Sequence, residues 1–245
     1  GQFDEAEKNL LAVIKNYKNS SNALQANFEL GMMYKQSKDF TKAVSEFEKI
    51  VTDKAVGVYL KEIANFELGL SYYELNDFKN ASKYFENLIQ SFPESERLDE
   101  VMLWAGKSRA RANNFKAALS WYDKILTAKK SDDISAHALI QASYSAEKSG
   151  SVSPAIEYCK RFLQNFPDHS GNAEASVRVA DLLRNELKDY QQAIKYYEEA
   201  IHISEQRSSE SLQRKMISSL KLKIAECYFA SGNNEYAINN YEEII

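Results

Sequence analysis

Apolar side chains fall along this chain in two stripes that take turns from end to end. The first runs through Phe28, Leu30, Gly31 and Tyr34, returns as Phe66, Leu68, Gly69 and Tyr72, and again as Leu103, Ala105 and Gly106. The second is marked by Ala6, Ala43, Ala81, Ala118, Ala155, Ala193 and Ala237, at spacings of 37, 38, 37, 37, 38 and 44 residues. Four residues past each alanine stands Leu10, Phe47, Phe85, Tyr122, Cys159, Tyr197 or Tyr241, and three further on Val13, Ile50, Leu88, Ile125, Phe162, Ala200 or Ile244. Offsets of four and seven place these side chains on one face of a helix. Each repeat therefore predicts two helices.

Small residues at Gly31, Gly69, Gly106, Ser143, Ala180 and Ala225, with the alanine series opposite, predict that the two helices of a pair approach closely. The links Lys38-Asp39, Asn76-Asp77, Asn113-Asn114, Gly150-Ser151 and Gly232-Asn233 are short and polar, which suits antiparallel hairpins. Pro93 and Pro167 fall just past second helices, where proline stops a helix and favours an extended link. The hexapeptide Ala26-Asn27-Phe28-Glu29-Leu30-Gly31 is repeated verbatim as Ala64-Asn65-Phe66-Glu67-Leu68-Gly69, so the chain is an internal repeat array.

These residues resemble the tetratricopeptide-repeat family. Leu68, Gly69, Tyr72, Ala81, Phe85 and Pro93 match that family's unit, and the likeness extends over essentially the whole chain. The usual early tryptophan is absent, replaced by Phe28, Phe66, Leu103, Ile140, Val177 or Leu222, and the period is longer than the usual ~34 residues. The resemblance implies an all-α fold: a right-handed α-solenoid of tandem antiparallel helix pairs. Residues 1–245 then form a single array of about six units. Gly1-Gln2-Phe3-Asp4-Glu5-Ala6 corresponds to Lys38-Asp39-Phe40-Thr41-Lys42-Ala43, and Ile245 falls in another second helix, so the sequence reads as a fragment with partial units at both ends. A targeting segment, an anchor or another domain could lie outside it. The motifs Ser91-Phe92-Pro93-Glu94-Ser95 and Asn165-Phe166-Pro167-Asp168-His169-Ser170 resemble bacterial cell-envelope members, of the kind of the Tol-Pal coordinator and the outer-membrane assembly lipoprotein. That narrower likeness favours periplasm or cell envelope over cytoplasm.

Composition agrees with a helical array, being 44% hydrophobic and 27% charged with only 3 Pro and 8 Gly, and no apolar run is long enough to insert in a membrane. The net charge is -4, yet it is unevenly spread: acids dominate from Glu62 to Glu100, while from Val101 to Lys130 Lys107, Arg109, Arg111, Lys116, Lys124, Lys129 and Lys130 face only Asp123. Such a step could steer a partner or be neutral, solubilising chemistry. Nucleic acid is disfavoured, because the net charge is -4 and the basic stretch is short and is not a stripe with interleaved stacking aromatics. Arg109 stands where this helix expects tyrosine, which predicts a less apolar contact there.

Catalytic chemistry is not legible. His137, His169 and His202 lie in three different units without a cysteine or carboxylate at metal-ligand spacing, so no metal site is expected. Cys159 and Cys227 read as small core groups on helices that should not meet. Phosphate loops and nucleophile motifs are absent, so neither a cofactor nor enzymatic activity is expected. The sequons at Asn19 and Asn80 would matter only in a eukaryotic secretory pathway. Ser204 to Ser219 carries the extra residues of the last spacing, as a hinged connection, a pair of longer helices or a projecting binding element.

What remains is surface. In helix-pair arrays of the resembled family the first helices line the inner wall, which places Met32, Lys35, Leu70, Tyr73, Lys107, Arg111, Tyr144, Lys148, Asp181, Arg184, Glu226 and Phe229 in a partner-binding groove. Its start is apolar and aromatic and its middle basic, suited to a protein or peptide partner with a hydrophobic anchor and a carboxylate. Alternatively, Met32, Leu70 and Tyr144 pack between units and the cations are merely hydrated. The sequence thus predicts a protein-binding scaffold, organising a bacterial envelope complex in secretion, outer-membrane or periplasmic flagellar assembly. The rivals are a recruiting or regulatory region of a larger enzyme, and a self-association module.

Overall fold

Every expected link turns on a residue in the left-handed conformation. In the computed structural model Lys38, Asn76, Asn113, Gly150 and Gly232 have φ of 62°, 59°, 58°, 80° and 82°. The next N–H then reaches back five residues, Asp39 to the Tyr34 carbonyl at 2.8 Å, Asp77 to Tyr72 at 2.9 Å and Asn114 to Arg109 at 2.8 Å, which satisfies a carbonyl orphaned at the helix end. Asp39 and Asp77 also start the following helix, their carboxylates accepting from the Lys42 and Asn80 amides at 3.2 and 3.1 Å. One dipeptide thus ends one helix and begins the next.

The structure describes residues 2–18, 20–128, 132–207 and 210–242. Among them are thirteen α-helices and no strand. They are α1 (Gln2–Asn16), α2 (Ser21–Gln36), α3 (Phe40–Thr52), α4 (Val58–Glu74), α5 (Phe78–Ser91), α6 (Leu98–Arg111), α7 (Phe115–Thr127), α8 (Asp133–Lys148), α9 (Val152–Asn165), α10 (Asn172–Leu182), α11 (Tyr190–Arg207), α12 (Glu210–Ala230) and α13 (Asn234–Glu242). The chain forms two compact units, residues 1–125 and 126–245. In the first, α2 pairs with α3 and α4 with α5, and α1, α3 and α5 each pack on the first helix that follows. In the second, α8 pairs with α9, α10 with α11 and α12 with α13, while α9 packs on α10 and α11 on α12. The all-helical fold of consecutive hairpins read from the sequence is the fold observed.

The small positions are explained by what faces them. A Cβ on Gly31 would lie 2.7 Å from Phe47, one on Gly69 2.7 Å from Phe85, and one on Gly106 would collide with Tyr122. Those three rings are fully buried. Where the small residue is Ser143, the opposing position shrinks to Cys159, whose sulfur lies 3.0 Å from the hydroxyl. The first helices α2, α4 and α6 therefore each seat a ring against their own backbone, and α8 its smaller substitute.

Two details depart from the simple repeat. After α10 the chain makes a π-helical turn, Leu183–Leu187, and the left-handed residue is Lys188, with Asp189 N–H bonding the Leu183 carbonyl at 2.9 Å. One extra residue is absorbed there without breaking the hairpin. The described part of Ser204–Ser219 continues α11 and α12 as longer helices, with residues 208–209 outside the description.

Candidate functional site

The first-helix face of the first unit is built from α2, α4 and α6. Its neighbours are joined by a recurring rung in which a residue four past the small position meets one two before the next small position. Lys35 of α2 is ion-paired with Glu67 of α4. At the next rung Tyr73 of α4 meets Trp104 of α6 edge-on, with centroids 5.2 Å apart. Lys35 is thus held by a carboxylate, while the Tyr73 rung is aromatic and open to cations.

Two cations occupy it. The Lys107 ammonium lies 4.0 Å from the Trp104 ring, and the Arg111 guanidinium lies 4.7 Å from Phe78 and 5.7 Å from Tyr73. Tyr73 also packs edge-on against Phe78 at 5.2 Å. Arg111 reaches the Asn76 side-chain oxygen at 3.5 Å, and among the described residues neither cation has a carboxylate partner. Burial alone holds the Lys107 ammonium below the usual lysine range. A desolvated cation over an aromatic face, without a counter-charge, is a ready acceptor for an anion. Met32 and Leu70 are half-buried and pack against the hydrophobic clusters beneath this face.

Sequence reasoning missed Trp104 and Phe78. The signal for Trp104 was present, since it lies three residues before Lys107 on one helix and so shares its face. Phe78 opens α5, three residues before Ala81, and nothing in the linear pattern ties it to α4 or α6. Arg109, at the tyrosine position of α6, makes a two-pronged pair with Glu86, at 2.7 and 2.6 Å. Tyr34 and Tyr72 occupy the same position in earlier repeats and donate to Glu7 and Glu48 at 2.6 and 2.7 Å. Of the basic run, Lys129 and Lys130 lie outside the described residues, as does the Asn19 sequon.

In the second unit the corresponding face is laced by charge. Arg178 of α10 stacks on Tyr144 at 3.5 Å, donates to Ser143 at 3.0 Å and is ion-paired with Glu147. Asp181 accepts from Lys223 at 2.7 Å and from Tyr197 at 2.5 Å, and Arg184 donates to Glu226 at 2.5 Å. Between α8 and α10 remains a cleft of about 380 Å³ whose wall includes Tyr144, Glu147, Glu174, Arg178 and Asp181. Lys148 is exposed on α8, and Phe229 on α12 is 65% exposed. Of the predicted residues, Tyr73 meets Arg111 directly and Lys107 through Trp104, Arg184 meets Glu226, and Tyr144 and Asp181 line one cleft, while Met32, Lys35, Leu70, Lys148 and Phe229 take part in none of these contacts.

The histidines serve local geometry. His137 Nδ1 lies 2.7 Å from the Asp133 carbonyl, His169 Nδ1 accepts from the Gly171 amide at 2.9 Å, and His202 Nε2 lies 3.0 Å from Gln206. Cys159 and Cys227 are buried free thiols, and burial pushes both up from the ordinary thiol range. Among the described residues no three His, Cys, Asp or Glu side chains converge to hold a metal ion, and no helix is long and apolar enough to cross a membrane.

Comparison with known proteins places this architecture. A tetratricopeptide-repeat family model matches residues 1–56 and 66–133, half of the chain, and a model of soluble NSF attachment protein matches residues 105–245. No curated protein matches the chain by sequence. Among solved structures, the chain is similar to the C-terminal part of a TPR repeat-containing protein from Cytophaga hutchinsonii, with a TM-score of 0.77 at 13% identity, covering 99% of this chain and 89% of that one. It is also similar to the apo form of RapI, with a TM-score of 0.63 at 14% identity over 90% and 95% of the two chains. MamA from Desulfovibrio magneticus gives 0.63 at 11% identity, over 76% and 97%.

Proposed function

Because the chain belongs to the tetratricopeptide-repeat family, and from residue 105 onward to the soluble NSF attachment protein family, we propose that it is a non-catalytic scaffold that holds protein partners on its first-helix faces. Stacked helix pairs of this kind offer extended surfaces to other polypeptides. The observation that carries the reading is the pair Lys107 and Arg111, set over Trp104, Tyr73 and Phe78 and lacking any carboxylate partner among the described residues. A partner's carboxylate would neutralise these cations, and its apolar side chains would lie along Tyr73, Leu70 and Met32. Lys35 and Arg184 belong to the same predicted surface, but each would first have to give up its glutamate. Lys148 and Phe229, both exposed, are the contacts we propose in the second unit.

Crosslinking in the native cell followed by mass spectrometry, run on the parent and on Lys107→Glu with Arg111→Glu, tests this. Capture of partners should fall at least about tenfold, the loss of one to two charge-assisted contacts, at an unchanged melting temperature. Undiminished capture rejects the reading. The Phe-Pro connectors support the narrower proposal that the scaffold serves a bacterial envelope complex. A phosphatase fusion active only outside the cytoplasm should then be active, and an inactive fusion removes that setting.

A further inference from the structure

The Phe-Pro connectors build the same feature twice. In the first unit the connector after α5 leaves a cleft of about 350 Å³, with Ile63 and Phe66 of α4, Leu88 of α5 and Val101 of α6 along it. In the second unit His137, Ile140, Phe162 and Ala175 stand at the equivalent places, around a smaller space of about 160 Å³. That space is narrowed by His169, whose ring packs edge-on against Phe162 at 5.0 Å. The residue equivalent to His169 in the first unit is Ser95, which turns its hydroxyl to Glu62 and leaves the cleft open.

Its rim is acidic. Glu62, Glu94 and Glu96 line it, with Arg97 as the cation among them. Arg97 is already spent: its guanidinium lies 3.9 Å over the Phe66 ring and donates to Glu100 at 3.0 Å. On the lip, Tyr59 is 77% exposed and its neighbour Val58 71%, the most exposed large apolar side chains among the described residues. An apolar trough under three carboxylates, with an exposed tyrosine beside it, repels acidic ligands and favours a cationic one with an apolar side chain.

We infer that this cleft docks a partner segment presenting one aliphatic or aromatic side chain between lysines or arginines. The apolar side chain enters beside the Arg97 guanidinium, against Ile63, Leu88 and Val101, and the flanking cations meet Glu94 and Glu96. Tyr73, on the first-helix face, lies about 15 Å further along α4 at 1.5 Å per residue from Ile63. One helix therefore serves two docking surfaces of opposite charge preference, and this one stands whether or not the first-helix face binds an acidic partner.

Fluorescence anisotropy on the whole chain tests it with a labelled synthetic peptide, Lys-Lys-Leu-Phe-Lys-Lys. Two controls replace either the leucine and phenylalanine by serine or all lysines by glutamate. The expected result is saturable binding of the first peptide, with both controls at least about tenfold weaker. Glu94→Lys with Glu96→Lys should weaken binding about tenfold and Tyr59→Ala about threefold. Both glutamates and Tyr59 are exposed, so these variants keep the fold. No binding, equal binding of the serine peptide, or undiminished binding by the Glu94/Glu96 and Tyr59 variants overturns the inference.

Discussion

Replacing Gly69 by alanine separates two physical effects of opposite sign. In an open helix the change stabilises by ~1 kcal/mol, because glycine is the poorer helix former. Here the new Cβ would lie 2.7 Å from Cε1 and 2.8 Å from Cζ of Phe85, where carbon atoms prefer about 3.5–4.0 Å. The ring must retreat by roughly 1 Å to restore contact distance. It is fully buried, with Phe66 edge-on at 5.8 Å and Trp104 stacked at 6.3 Å, so it has nowhere to go. Overpacking of this kind costs about 1–3 kcal/mol, which outweighs the propensity gain and leaves Gly69→Ala destabilised by about 1 kcal/mol. Urea unfolding followed by circular dichroism reads this as a lower midpoint at unchanged slope. In a Phe85→Leu background the obstacle is gone and the same change should become stabilising, a coupling of about 1–2 kcal/mol. The Ser143 and Cys159 pair shows such a compensation already in place. A higher midpoint for Gly69→Ala in the parent chain would refute the reasoning.

Arg109→Leu should destabilise by about 1–2 kcal/mol by stranding the partly buried Glu86, and adding Glu86→Leu should recover part of the loss in the same denaturation assay. Tyr34, Tyr72 and Tyr197 have phenols raised above the ordinary value of 10.0, first by burial and then by donating to Glu7, Glu48 and Asp181. The folded chain holds these protons more tightly than the unfolded one, so their contribution is complete below about pH 10 and is lost as pH climbs above it. Melting temperatures should fall steeply there, and phenolate absorbance of these tyrosines should appear only with unfolding. Cys159 and Cys227 are buried with raised thiol pKa, so Ellman's reagent should react with neither in the native chain and with both in denaturant. Prompt native reaction would contradict their burial.

Much of the fold was legible because its determinants act within one turn of the chain. A left-handed residue followed by a capping aspartate marks a hairpin wherever it occurs, as at Asn76 and Asp77. The link at Lys188 and Asp189 escaped notice, although Lys38-Asp39 was legible, because the residue added in the π-helical turn after α10 sets it one position further from the small residue Ala180 than in the other repeats. The arrangement of the site was less legible. That Lys35 is neutralised by Glu67 and Arg184 by Glu226, whereas Lys107 and Arg111 are not neutralised, depends on partners up to 42 positions away.

By itself the sequence determined the helices, their turns and the close approach of paired helices at the small residues, since backbone conformation, capping and side-chain volume are properties of a few neighbouring positions. Only the tertiary structure decided which charges are spent between helices and which face outward, and that Trp104 and Phe78 join the basic cluster. Those outcomes turn on how side chains from successive helices meet across a few ångströms, and a linear pattern carries no record of that distance.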